Sequence, residues 1–446
     1  MGQYLARDVF TPTKPARVAF VERDAVNDRL VSALTTPGKQ VVVYGHSGSG
    51  KTTLLINKLN QLYENHVTTR CMRGLTFEQL ILDGFDQLAP FYIAERTAAS
   101  SKSISGELAG SYLNIQSKIG GTKTTETSEK EVRILPPQLT PQALGRFMGA
   151  AKCCWVLEDF HKIDEAEKVK LSQLMKVFMD LADEYGELKI VALGAVDTAR
   201  QVIDCDREMR NRVAEIHVTL MTEKEIEAII SKGEAALNIV FGKEIKSLIA
   251  RYSNGLASAC HHLCLNMCDA AGVHCTVSSP IALAKEHFET AIKAYAEDAS
   301  DSIRSAFDSA VRQRRKTRFD NATIVIKALC RSPERGASRF DLHKRIRQAE
   351  PSYPEYNLKN ILPRLTTPEY GGILRYDSTS GLYSFSDPIY RAFALAQYRD
   401  ATDAAWRASS DRDLSEVIRI FTNEFERLLV VSGSTSRVVF HTSRKK

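Results

Sequence analysis

One octapeptide constrains this chain more than any other stretch. Gly45-His46-Ser47-Gly48-Ser49-Gly50-Lys51-Thr52 satisfies the phosphate-loop pattern G-x-x-x-x-G-K-[ST]. Its surroundings fit as well. An apolar, β-branched run (Val41-Val42-Val43-Tyr44) precedes it, and a helical pattern from Thr52 to Leu62 follows, with Leu54, Leu55, Leu59 and Leu62 on one side. Strand, glycine loop, helix is the order that phosphate binding requires. The glycines let backbone N–H groups face the anion, and the helix N-terminus adds positive potential. Lys51 is placed to reach the outer phosphates, and the Thr52 hydroxyl to hold a divalent cation.

A second feature bears on the same chemistry. Cys153-Cys154-Trp155-Val156-Leu157 is a continuous apolar run ending in Glu158-Asp159. Such a run suits a strand buried on both faces of a parallel sheet. The two acids at its end are placed so that one holds a Mg²⁺ water shell and the other orients an attacking water. Lys189–Gly194 (KIVALG) reads as another buried strand, with an amphipathic helix from about Ala166 to Glu184 between the two. Strands alternating with helices predict an α/β parallel sheet.

The rest of the chain reads as attached domains. Residues 1–36 form an arm with Pro12, Pro15 and a short helix near Asp24–Leu34. A helix spans about Leu75–Leu88. Residues 99–131, rich in Ser, Thr, Gly and Lys, read as a long loop closed by Pro136-Pro137, after which Thr140 caps a helix from Pro141. From Thr222 to Ala296 the pattern is helical throughout, and Arg312–Arg318 is a basic connector. Helices then fall at Ala322–Cys330, at Arg339–Gln348 and from Tyr356. They precede two short strands, Ile373–Tyr376 and Leu382–Phe385, which is the order of a winged helix-turn-helix. The boundaries are therefore 1–36 arm, 37–218 core, 219–300 helical lid, 301–320 connector, 321–400 winged helix, and 401–446 helices with a basic tail.

No apolar run approaches the ~20 residues of a membrane span, and the start of the chain lacks a signal-peptide core. The expectation is a cytoplasmic protein whose nine cysteines are thiols. Residues 301–446 hold 26 Lys+Arg against 17 Asp+Glu, a net of +9, while the remainder is −3. A basic end on a near-neutral body is compatible with an acidic partner such as duplex DNA, and equally with a solvated surface.

With these residues in view, the chain resembles the AAA+ and STAND group of P-loop ATPases. The resemblance is to the branch in which the ATPase core precedes a helical lid and a winged helix, as in origin-recognition-type proteins and bacterial signalling ATPases. Its carriers are GHSGSGKT (45–52), CCWVLED (153–159), KIVALGAVDTAR (189–200), Met209–Val213, Asn254-Gly255-Leu256, and the entry segment Phe20-Val21-Glu22-Arg23. The resemblance implies ATP with Mg²⁺ held by Gly45, His46, Ser47, Gly48, Ser49, Gly50, Lys51, Thr52 and Thr53. Val21 and Arg23 would lie beside adenine. Thr52, Glu158 and Asp159 would serve the metal and hydrolysis. Asp197 or Thr198 would be a γ-phosphate sensor, and Arg200, Arg210 or Arg212 an arginine reading that phosphate in cis or from a neighbouring subunit.

Two departures qualify the resemblance. The acidic pair runs Glu-Asp where the family begins with Asp. The lid segment 255–262 lacks an arginine that many relatives carry, with His261 or His262 as weak substitutes. Both suit a switch that holds ATP, assembles through nucleotide-bridged subunits and acts on a separate effector, as relatives do in antiphage defence. The alternative is a DNA-binding loader or regulator of replication or transposition. The weakly basic third helix (Lys359, Arg364) favours a winged helix that packs and moves over one that reads DNA. A zinc site from Cys260, His261, His262, Cys264, Cys268, His274 and Cys275 is the weaker reading. Its i, i+4, i+8 cysteines lie about 6 Å apart along one helix face.

Overall fold

The structure is a computed structural model that describes residues 3–93, 139–195, 209, 211–312, 318–333, 335–378, 380–398 and 412–431. The chain divides into two compact units, Glu22–Thr219 and Met1–Val21 with Leu220–Lys446.

The first unit is built on a five-stranded sheet. Its strands are β1 (Gln40–Gly45), β2 (Asn65–Arg70), β3 (Cys153–Glu158), β4 (Lys189–Gly194) and β5 (Val213–Val218). Their spatial order is β2-β3-β4-β1-β5 and every pairing is parallel. The three inner strands carry the continuous apolar runs, because both of their faces are covered. Lys189 departs from that pattern: it is buried, its Nζ donates to the Thr36 carbonyl, and burial pushes its pKa down to about 8. Helices α2 (Asp24–Thr35), α3 (Lys51–Leu62), α4 (Phe77–Ile93), α5 (Pro141–Ala150) and α6 (Glu165–Asp180) complete the unit. As its sequence predicts, α5 is capped by Thr140, whose Oγ1 accepts from the Ala143 N–H at 3.2 Å. One apolar core gathers Trp155, Phe178, Phe85, Phe147, Met175 and Ile190.

The second unit is mainly helical. It holds α1 (Ala6–Val9), α7 (Glu223–Leu237), α8 (Lys243–Tyr252), α9 (Ala257–Ala270) and α10 (Lys285–Val311), with a small parallel pair β6 (Ile239–Phe241) and β7 (Ile281–Leu283). Then follow α11 (Asn321–Cys330), α12 (Arg339–Ala349), α13 (Glu355–Leu365), the antiparallel hairpin β8 (Leu374–Asp377) and β9 (Leu382–Phe385), α14 (Pro388–Tyr398) and α15 (Arg412–Val431). Three helices and a hairpin are the element order expected of a winged helix. Ala337 bridges antiparallel to Tyr383, setting a third segment of chain beside the hairpin. Arg375 of β8 is buried. Its Nε donates to Ser384 Oγ at 2.9 Å and its Nη2 to the Asn254 carbonyl at 3.1 Å, tying the hairpin to the turn after α8.

Three readings of the chain's organisation change. The arm does not end near residue 36: Phe10 is fully buried in the second unit, where a Cβ on Gly233 would meet its ring at 2.1 Å, while Asp24–Thr35 belongs to the first unit. The stretch from Thr222 to Ala296 is not helical throughout, since β6 and β7 interrupt it. No boundary falls at 300, the expected end of the helical segment, because α10 runs unbroken to Val311. The long loop at 99–131 and the basic tail lie outside the described residues.

Candidate functional site

Because every strand of the sheet points the same way, all five C-terminal ends share one edge. In open α/β sheets this is where ligands bind. Gly45 ends β1 and Glu158 ends β3, with β4 between them, so the two features sit about 10 Å apart, twice the inter-strand spacing.

The loop's backbone needs its glycines. Gly45 has φ 155°, and a Cβ there would lie 2.3 Å from the Val218 carbonyl oxygen of neighbouring β5. Gly48 and Gly50 have φ 75° and 90°, in the left-handed region. Gly50 hands the chain to α3, whose N-terminus faces the loop's concavity. Inside it, Ser49 is fully buried and its Oγ has no partner among the described residues. An orphaned hydroxyl in a glycine cradle fits an anionic oxygen.

Lys51 opens α3 and its Nζ donates to the His46 carbonyl at 2.6 Å. Burial pushes its pKa down to about 8, with Asp159 opposing the shift. Thr52 Oγ1 donates to Glu158 Oε1 at 3.3 Å. These oxygens form a hard donor pair of the kind Mg²⁺ takes from a protein when substrate phosphates and water fill its other positions. Asp159 adopts a left-handed conformation (φ 59°, ψ 33°) and starts a 3₁₀ turn, Phe160–Lys162. Phe160 plugs that turn into the core. The turn brings Lys162 Nζ to 2.6 Å from Asp159 Oδ2.

Register explains the remaining neighbours. β2 pairs β3 so that Arg70 stands opposite Glu158, and Arg70 Nε lies 3.6 Å from Glu158 Oε2. That register is pinned by Trp155 Nε1 donating to Thr69 Oγ1 at 2.9 Å, and by the Thr69 hydroxyl donating to Asp83 Oδ2 at 2.5 Å. His161 is half-buried, and burial lowers its pKa while Asp159 opposes.

The predicted residues scatter as follows. Gly45–Thr53, Glu158 and Asp159 gather at one sheet edge. Arg23 is nearly buried. Its Nη1 donates to the Thr219 carbonyl at 2.9 Å and its Nη2 to Thr219 Oγ1 at 2.8 Å, just past β5, and so at the same edge as Gly45. Val21 is buried in the core of the other unit. Arg212 lies at the opposite edge: its carbonyl accepts from the Gln40 N–H at the start of β1, and its Nη1 pairs with Asp180 at 3.1 Å. Some five strand residues, about 16 Å, separate it from Gly45, too far to read a phosphate within one chain. Asp197, Thr198, Arg200 and Arg210 lie outside the described residues.

His261 and His262 are used inside their own unit. His261 Nδ1 accepts from the Thr11 N–H at 3.1 Å, and burial pushes its pKa down to about 4. His262 packs on Tyr295 with ring centroids 4.3 Å apart. Cys260, Cys264 and Cys268 share the buried face of α9, where burial raises the Cys268 thiol to about 12. Among the described residues no group of three or more His, Cys, Asp or Glu is placed to hold a metal ion, and no helix is long and apolar enough to cross a membrane.

Reading the sequence missed Arg70, because it missed the strand that presents it. Lys162 was visible as the i+3 neighbour of Asp159.

No protein-family model matches the chain, and neither does any curated protein. Solved structures do match. A Walker-type ATPase of Pyrococcus abyssi aligns with a TM-score of 0.53 at 13% identity, covering 85% of this chain and 97% of that one. The Aeropyrum pernix ORC2 protein aligns with a TM-score of 0.47 at 13% identity, covering 96% and 100%. Cdc6p of Pyrobaculum aerophilum aligns at 0.40 and 12%, covering 96% and 100%. At 13% identity the likeness to the first of these is one of fold: this chain has a P-loop NTPase sheet followed by a largely helical C-terminal region.

Proposed function

We propose that this chain is a slow, ATP-binding switch ATPase of AAA+/STAND type. The contact between Thr52 Oγ1 and Glu158 Oε1 carries the reading. It joins the phosphate loop to the acidic strand end across an intervening strand, with Asp159 next in line. A glycine-rich turn with an incidental lysine has no reason to face a carboxylate there.

In this reading the loop N–H groups and the α3 N-terminus hold the phosphates. Lys51, still mostly protonated at pH 7, leaves the His46 carbonyl for a phosphate oxygen. Thr52 and Glu158 hold Mg²⁺, which when bound neutralises charge on the outer phosphates. Asp159 orients the attacking water. With the shorter acid in the water-side position and the longer one on the metal side, the carboxylates are offset by about one bond from the family's usual pair, which supports slow turnover. Arg23 holds the end of β5 beside Gly45 and supports the edge on which the base and ribose would lie.

The switch part of the proposal is nucleotide-dependent self-assembly acting on a separate effector protein. Native mass measurement of the full chain with ATP, with ADP and with neither tests it. A mass increase confined to ATP is expected, and an unchanged monomer in all three would overturn it.

The basic C-terminal third favours a second reading, a DNA-binding regulator. Exposed Lys344 and Arg347 of α12 and Lys359 and Arg364 of α13 lie on the three-helix unit. Salt-dependent binding of the full chain to duplex DNA would support it, and no binding at low salt would remove it.

A further inference from the structure

We propose that Lys162 is a positioning residue that restrains the Asp159 carboxylate and so slows hydrolysis by a small factor. The inference rests on the ATPase reading above and goes beyond it by naming a residue that tunes the site.

The geometry is local and fixed. Asp159 stands in the left-handed region, which turns the chain back at the strand end. The Lys162 N–H donates to the Asp159 carbonyl at 2.9 Å and the Ile163 N–H to the Phe160 carbonyl at 3.2 Å, closing the 3₁₀ turn. Phe160 and Ile163 are both buried in the core of the first unit, so the turn cannot drift. The closed turn returns Lys162 beside Asp159. Lys162 Nζ then donates to Asp159 Oδ2 at 2.6 Å, a short, charge-assisted bond.

A carboxylate that orients water must present a lone pair to it. Lys162 occupies one of Asp159's two oxygens, so the lysine and the water compete. Glu158 is held differently: its partner Arg70 is farther away, at 3.6 Å, with its side chain almost fully in solvent. The restraint therefore falls on the acid assigned to water and leaves the metal-side acid free to face Thr52. Its strength is bounded by exposure. Both side chains of the Lys162–Asp159 pair are nearly half exposed (47% and 44%), so the pair is screened and modest. It slows turnover by a small factor and leaves the site able to hydrolyse.

The test compares full-length wild type, Lys162→Met and Lys162→Arg by steady-state ATP turnover and, separately, ATP affinity. Lys162→Met keeps the stem and removes the charge. It should raise kcat about two- to five-fold with ATP affinity unchanged, and Lys162→Arg should stay near wild type. The wild-type rate should approach the Met variant's as salt is raised, since the pair is screened. An unchanged or lowered kcat in Lys162→Met beside an active wild type refutes the restraint and leaves the ATPase reading standing. Turnover that appears only in Lys162→Met supports the restraint. No turnover in any of the three refutes both. Coincident melting curves for Lys162→Met and wild type confirm that a rate change is not a folding effect.

Discussion

Lys51 should be a residue that the fold tolerates at a cost, and replacing it should make the protein more stable. Burial lowers its pKa from 10.5 to about 8, so at pH 7 the folded state holds a charge it disfavours. The sign follows from proton counts. Between pH 8 and 10.5 the unfolded chain binds the proton and the folded chain does not, so stability rises as pH climbs through that window. A shift of this size corresponds to roughly 3 kcal/mol of penalty for the charged form at neutral pH. Lys51→Met removes the charge and keeps the stem, but also removes the bond to the His46 carbonyl, worth about 1–2 kcal/mol. The net gain at pH 7 is about 1–2 kcal/mol. For a unit of the size of Glu22–Thr219 this raises melting by roughly 2–8 °C. The chain has two tryptophans, so thermal unfolding followed by Trp155 fluorescence in a Trp406→Phe background reports on this unit. The stability gain should be present at pH 7, shrink by pH 9.5, and coincide with lost ATP binding. A variant that melts at or below wild type at pH 7, or whose advantage ignores pH, would refute the reasoning.

Other residues give sharper single outcomes. Gly45→Ala drives a methyl against the Val218 carbonyl and should destabilise the first unit by about 1–3 kcal/mol, seen as a lower melting temperature. Glu158→Gln keeps the shape beside Thr52 but not the charge, so ATP affinity with Mg²⁺ should fall to the value measured in EDTA. Gly233→Ala should expel the Phe10 ring and free half-buried Val18 from the core, opening the Arg17–Val18 bond to trypsin, while wild type stays uncut there. Arg375→Met should lower the melting of the second unit, because it removes the hydrogen bonds to the Asn254 carbonyl and the Ser384 hydroxyl.

How much the sequence disclosed follows from which faces of each strand are covered. β1, β3 and β4 are buried on both faces and appear as unbroken apolar runs, so the phosphate loop and the Glu158-Asp159 pair could be placed at strand ends. β2 (NHVTTR) and β5 (VAEIHV) are the sheet's edge strands. β2 has one apolar residue, Val67, and β5 mixes polar with apolar residues, so both resemble loop or helix margins. Missing β2 hid Arg70, and missing β5 left Arg212 among the candidates for reading the phosphate when it precedes a strand at the far edge. The fate of residues 1–21 was illegible for another reason. Phe10 finds its place through Gly233 and His261, more than 200 residues away, and no local pattern records such a contact. The pairing of Asp159 with Lys162 was within reach, but only once the backbone was known to reverse at Asp159.

A single-turnover experiment on the full chain, with protein in excess over γ-labelled ATP and Mg²⁺, separates holding from hydrolysis. Wild type should retain the label and convert it slowly to phosphate. Lys51→Ala should retain none, and Asp159→Asn should retain ATP without converting it. A wild-type chain that retains no ATP, or an Asp159→Asn variant that hydrolyses as fast as wild type, would contradict the assignment of this loop and acidic pair as an ATPase site.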